Sequence, residues 1–165
     1  MTMHPTWELK VNNAALVLTP CPGTKDLGLD DSLEQLKQQG VTVIVTALDS
    51  HELTEAGVAE LGEKTKALGM KWFQTPIEDD RAPGDEFAAQ WQAISPELHQ
   101  AVEAGEKIAM HCMGGSGRTG LLAANLLLEL GWELDKVRSE VQALRPGAFT
   151  KAPQIVYVEQ LAKGF

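Results

Sequence analysis

KIAMHCMGGSGRTGLLAANLLLEL, residues 107–130, is the stretch on which the fold turns. KIAMH (107–111) is a short apolar run of strand character, and TGLLAANLLLEL (119–130) is apolar nearly all round, as a helix buried on every side must be. Between them, Cys112 and Arg118 are separated by five residues, three of which are glycines at 114, 115 and 117. The stretch therefore reads as strand, tight loop and central helix.

Working outward, short extended segments alternate with helical ones. ALVLT (15–19) is an apolar run closed by the turn signal PCPG, and VTVIVTAL (41–48) is β-branched and apolar throughout, as expected of a buried parallel strand. Asp30, Asp31 and Ser32 offer N-cap chemistry for a short helix that Gly40 closes. One helix is expected from Glu52 to Leu68, then a strand over MKWFQTP (70–76) and a loop, EDDRAPG (78–84). A helical stretch from Asp85 to Ala104 aligns Phe87, Trp91, Ile94, Leu98 and Val102, with Pro96 expected to break or kink it and Ser95 to cap the second piece. Two further helices carry Leu134, Val137, Val141 and Leu144, then Ile155, Val158 and Leu161. The alternation predicts an α/β fold with a central, mostly parallel sheet flanked by helices.

With 165 residues and 44% hydrophobic content, the chain suits one domain spanning 1–165. A net charge of −9 argues against a general nucleic-acid binder, although a local pocket can be positive on an acidic body. Cys21 and Cys112 lie far apart and form no CxxC pair, so zinc and disulfide frameworks are poorly supported. Cys21 reads as a buried free thiol, with a disulfide to Cys112 under oxidation as the rival reading. His4, His51 and His99 lack ligand spacing and read as surface or core-edge residues, and the four tryptophans as core or edge aromatics. The N-terminal MTMHPTWELK has no long apolar stretch, and no run reaches membrane-spanning length. A soluble, cytoplasmic protein with no membrane partner is expected.

HCMGGSGRTG (111–120) carries the chemistry. Glycines allow backbone N–H groups to converge on an anion, and the helix beginning near Arg118 adds its positive end. The same dipoles favour a thiolate on Cys112, to which the Thr119 hydroxyl is placed to donate. Arg118 has the planar fork that grips two phosphate oxygens. The nucleotide-binding pattern GxxxxGK[ST] is absent, and GSGRTG echoes a dinucleotide loop only superficially.

These residues resemble the signature HCxxGxxR followed by Ser or Thr of the cysteine-dependent protein phosphatases, met in full at 111–119. Within that superfamily the likeness is to the dual-specificity branch, in particular the cyclin-dependent-kinase-associated phosphatases. LTPCPG (18–23), TPIEDDRAPGDE (75–86) and LRPGAFTKAPQ (144–154) extend it over most of the chain. The resemblance implies a protein-tyrosine-phosphatase-like fold and a metal-independent, cofactor-free phosphoric monoester hydrolase. It implies attack by Cys112 to give a phosphocysteine and oxygen binding by the amides of Met113, Gly114, Gly115, Ser116, Gly117 and Arg118. It further implies loop support from His111 and water orientation by Gln154. Asp79 matches the general acid, with Glu78, Asp80 and Asp85 as neighbouring alternatives.

The kinship implies a phosphoprotein substrate, with a kinase as one candidate; a monomer acting on phosphotyrosine, phosphoserine or phosphothreonine is expected. A second reading keeps the catalysis but changes the substrate to a phosphoinositide, nucleotide or RNA phosphate. The absence of lysine from 113–117 weighs against it. A pseudophosphatase that binds phosphorylated partners without turnover, and a rhodanese-type sulfurtransferase, are the remaining rivals.

Overall fold

The computed structural model describes residues 3–164. Its strands are β1 (Trp7–Val11), β2 (Ala14–Thr19), β3 (Val41–Thr46), β4 (Lys71–Gln74) and β5 (Lys107–His111). The helices are α1 (Leu29–Gln38), α2 (Ser50–Glu55), α3 (Leu61–Ala67), α4 (Asp85–Glu103), α5 (Gly117–Glu129), α6 (Leu134–Leu144) and α7 (Ala152–Lys163). The five strands form one sheet in the order β1-β2-β5-β3-β4. Pairing is parallel except between β1 and β2, which form an antiparallel pair at one edge. The α/β class is as expected, but β1 was not: WELKV alternates apolar and polar residues, burying Leu9 and Val11 in the core while Glu8 and Lys10 stay exposed, and it pairs with β2 at the sheet edge.

Successive residues of the inner strands point to opposite faces. Leu16, Leu18, Val43, Val45, Ile108 and Met110 enter a large core, whereas Val17, Ile44 and Ala109 enter a smaller one. The smaller core is closed by Leu33 and Leu36 of α1, and the larger by α4 to α7. Helix α5 lies in the middle of the larger layer, with every residue from Arg118 to Leu128 buried. That explains its all-round apolarity.

Three helix expectations need correction. Residues 52–68 form two helices, because Gly57 (φ 77°) takes a left-handed conformation that ends α2. The amides of Gly57 and Val58 then donate back to the carbonyls of Thr54 and Leu53 at 3.0 and 2.9 Å. Helix α4 runs unbroken through Pro96, since Trp91, Ser95 and His99 all hydrogen-bond to Glu129 of α5 and hold both sides of the proline in line. Ser95 is thus spent on that anchor and caps nothing. Helix α1 starts at Leu29 after Gly28, so Asp30, Asp31 and Ser32 fall in its first turn, where the two carboxylates favour the positive helix end.

Parallel register brings Thr19, His111 and Thr46 side by side at the carboxyl ends of β2, β5 and β3. The loop that follows the central strand opens at this row.

Candidate active site

Cys112 follows directly on β5 and is 4% exposed. Its sulfur accepts hydrogen bonds from the Gly115 backbone N–H at 3.3 Å and the Thr119 hydroxyl at 3.1 Å. Both donors sit where the loop winds into α5, whose first turn leaves N–H groups free to face an anion. Of the three loop glycines, only Gly115 has a positive φ (80°), and a Cβ there would lie 2.6 Å from Pro20 N. Gly114 and Gly117 have ordinary dihedrals and room for a Cβ. The steric demand for glycine in this loop therefore falls on residue 115.

Arg118, in the first turn of α5, has a side chain only 4% exposed. Its Nη1 donates to Glu52 Oε2 at 2.8 Å and to the Ile77 carbonyl at 3.1 Å. Glu52 Oε1 meanwhile accepts from the Asp49 N–H, closing a capping box that opens α2. Glu52 so joins the helix start after β3 to the guanidinium. Sequence reading missed this residue, although the D-x-x-E spacing of DSHE directly after a strand was the available signal. Asp79 Oδ1 lies 3.6 Å from Arg118 Nε. Asp80 instead occupies a left-handed turn position (φ 61°), and Asp85 belongs to the first turn of α4. Cys112, Thr119, Arg118 and Asp79 are thus brought together, whereas Asp80 sits at the turn and Asp85 at the start of α4 without joining them.

Behind the loop, hydrogen bonds fix His111. The Trp72 indole donates to Thr46 Oγ1 at 2.8 Å, and Thr46 Oγ1 lies 2.7 Å from His111 Nε2. His111 Nδ1 is 3.0 Å from the Cys112 carbonyl, so Nδ1 carries the proton and Nε2 accepts from Thr46. Complete burial pushes His111 down to about 4, and the ring is neutral above that pH. Of the surface and core-edge readings of His4, the surface one does not hold: it is 2% exposed, its Nε2 lies 2.7 Å from Thr19 Oγ1, and burial lowers its pKa.

Cys21 is a fully buried free thiol, raised to about 12 chiefly by burial, with Cys112 and Glu52 adding to the effect. Its backbone N–H donates to the Met113 carbonyl at 2.9 Å, tying the PCPG turn to the loop. Gln154, 1% exposed, lies against Gly117 with its Oε1 buried and unpartnered.

The surroundings are acidic. A cleft of about 560 Å³ beside Arg118 is lined by Asp49, Glu52, Glu78, Asp79 and Glu86. On the Met113 side a second groove of about 540 Å³ carries Glu52 and Glu55. Among the described residues, no helix is long and apolar enough to cross a membrane.

Comparison with known proteins accords with this geometry. The mouse protein tyrosine phosphatase type IVA 2 is 28% identical over 153 residues, covering 93% of this chain and 84% of that protein. Rat cyclin-dependent kinase inhibitor 3 is 32% identical over 97 residues, covering 59% of this chain and 44% of that protein. The crystal structure of kinase associated phosphatase, with its catalytic-site cysteine replaced by serine, superposes with a TM-score of 0.87 at 26% identity. That superposition covers 99% of this chain and 96% of the other. Fold and site together define a protein tyrosine/dual-specificity phosphatase of the cysteine-dependent superfamily. More narrowly, residues 23–132 match the model of the polymorphic toxin system DSP-PTPase phosphatases (Tc-R-P), and the chain belongs to that family.

Proposed function

We propose that the chain acts as one catalytic domain that dephosphorylates phosphoproteins through a Cys112 phosphocysteine. The observation carrying this reading is the convergence on Cys112 Sγ of an amide and a hydroxyl donor, beside the buried Arg118 fork and the Asp79 carboxylate. The Cys112 thiolate attacks phosphorus, and the bond to the leaving oxygen breaks as Asp79 gives that oxygen its proton. Water then attacks the phosphocysteine and loses a proton to Asp79, and the P–S bond breaks to release inorganic phosphate and the thiolate. Amides from Met113 to Arg118, with the Arg118 side chain, hold the three non-reacting oxygens throughout. Gln154, with its unpartnered carbonyl oxygen beside Gly117, is suited to hold the attacking water.

Asp79 is the preferred acid because it faces Arg118 and lines the cleft, whereas Asp80 is exposed at a left-handed turn position and does neither. Asp79→Asn is expected to lower kcat by about 10²–10³-fold and to remove one limb of the pH–rate profile. Asp80→Asn is expected to stay within a fewfold of the parent. Steady-state rates on a small aryl phosphate across pH decide, and the reverse pattern would move the assignment to Asp80.

A phosphoprotein substrate, with a kinase among the candidates, is supported by the likeness to kinase associated phosphatase. The acidic rim supports it further, because Asp49, Glu52, Glu55, Glu78 and Glu86 would repel a polyanionic lipid headgroup or nucleic acid and attract basic peptide residues. A phosphopeptide flanked by Lys or Arg is therefore expected to show kcat/KM roughly tenfold above an acid-flanked one, and well above a phosphoinositide in mixed micelles. Preferred turnover of the phosphoinositide would sink the protein-substrate reading. Two free cysteines suit a reducing, cytoplasmic setting, and a monomer suffices for the site.

A further inference from the structure

We propose that Arg145 is a positioning residue that sets the direction of two peptide planes in the Cys112 loop; the inference rests on reading that loop as the phosphate cradle. Arg145 lies at the C-terminal end of α6, distant in sequence from the HCxxGxxR signature. Its Nη2 donates to the Gly114 carbonyl at 2.9 Å and its Nε to the Gly115 carbonyl at 3.0 Å. The guanidinium also lies over the Trp7 ring, 3.9 Å from the centroid, so the edge strand β1 forms a platform beneath it.

A trans peptide unit is planar, with its C=O and N–H pointing in opposite directions. The unit that presents Gly114 O to Arg145 carries the Gly115 N–H, and that N–H donates to Cys112 Sγ. The next unit presents Gly115 O to Arg145 and carries the Ser116 N–H, which is thereby aimed away from Arg145 into the loop. One side chain outside the loop so orients two donors inside it. A fork is required, because successive carbonyls must be held at once and an ammonium lacks that fixed geometry.

The need for such a clamp follows from the sequence. Two consecutive glycines give the backbone its greatest freedom, and Gly114 has nothing within 4 Å of a Cβ position to restrain it. Rotation of the Gly114–Gly115 plane would turn a carbonyl oxygen towards the sulfur and the bound anion, replacing attraction by repulsion.

The test uses the full chain carrying Arg145→Met or Arg145→Lys, with folding followed by circular dichroism and thermal unfolding. Arg145→Met is expected to lower kcat/KM on an aryl phosphate by about 10²-fold and to weaken tungstate binding and slow iodoacetate alkylation of Cys112 by about tenfold each. Arg145→Lys, which keeps the charge over Trp7 but not the fork, is expected to fall between it and the parent. A residue that merely stabilises the fold would lower the melting temperature and leave alkylation and tungstate affinity unchanged in the folded protein. That outcome would overturn the inference. If the methionine variant does not fold, parent-like values in Arg145→Lys overturn it equally. Loss of turnover in Cys112→Ser beside parent-like Arg145 variants defeats this inference alone. Retained turnover in Cys112→Ser would overturn the reading of the loop and this inference with it.

Discussion

Cys112→Ser is expected to abolish turnover, lowering kcat on an aryl phosphate by at least about 10⁴-fold, as loss of a nucleophile does elsewhere. The Gly115 N–H and Thr119 hydroxyl aimed at Sγ favour an anion, and a serine hydroxyl does not supply one near neutral pH. The replacement is nearly isosteric at a buried position, so the fold and the amide cradle stay in place. Tungstate should therefore still bind the serine variant, separating lost chemistry from lost binding. Parent activity should survive excess chelator and be stopped by vanadate. Turnover above a few per cent of the parent in Cys112→Ser would refute the proposed nucleophile.

Arg118→Lys carries the second largest effect, an expected fall in kcat/KM of about 10³–10⁴-fold. The guanidinium does two jobs at once. Its Nη1 is committed to Glu52 and the Ile77 carbonyl, while the Nε edge faces Asp79 and the mouth of the loop. A lysine offers one nitrogen and must abandon one of these tasks. If it stays with Glu52, the phosphate loses its clamp; if it reaches the phosphate, a half-buried carboxylate loses its strongest partner. The second alternative costs roughly 1–3 kcal/mol of stability, so thermal unfolding with and without tungstate distinguishes them. A kcat/KM within tenfold of the parent would show that bidentate grip is dispensable.

How far the site was legible depended on where its information lies in the chain. HCMGGSGRTG packs sulfur, donors and guanidinium into ten consecutive residues, so local spacing alone placed Cys112, Arg118 and Thr119 around one point. Asp79 was readable only through the acid-rich loop and its resemblance, and its facing towards Arg118 needed the fold. Glu52 and Arg145 lie 66 and 27 residues from Arg118; the D-x-x-E spacing marks Glu52 as part of a helix start, but its contact with Arg118, like that of Arg145 with the loop, is not local. Their roles exist only once β3, β5 and α6 are assembled. The same reason accounts for the misread elements. Pro96 obeys its local rule in isolation, but three bonds to Glu129 override it. β1 is a different case: WELKV carries the period-2 alternation of a half-buried strand and was readable, but it is only five residues long. α5 and the inner strands were plain from sequence because burial on every side, or on both faces, makes their residues predominantly apolar away from the ends that meet the loop.

The row formed by Thr19, His111 and Thr46 has an evolutionary reading. Each strand end releases a different loop: β5 the cradle, β3 the Glu52 turn, β4 the Asp79 segment, and β2 the turn that backs Gly115. The nucleophile with its cradle, the anchor of Arg118 and the proposed acid are thus carried on separate connections from a shared edge. Insertions after β3 or β4 that spare Glu52 and Asp79 can remodel what flanks the phosphate without disturbing the β5–α5 joint. Such a layout lets a lineage exchange targets while inheriting its reaction unchanged, and the acidic rim of this chain is one setting of that adjustable part.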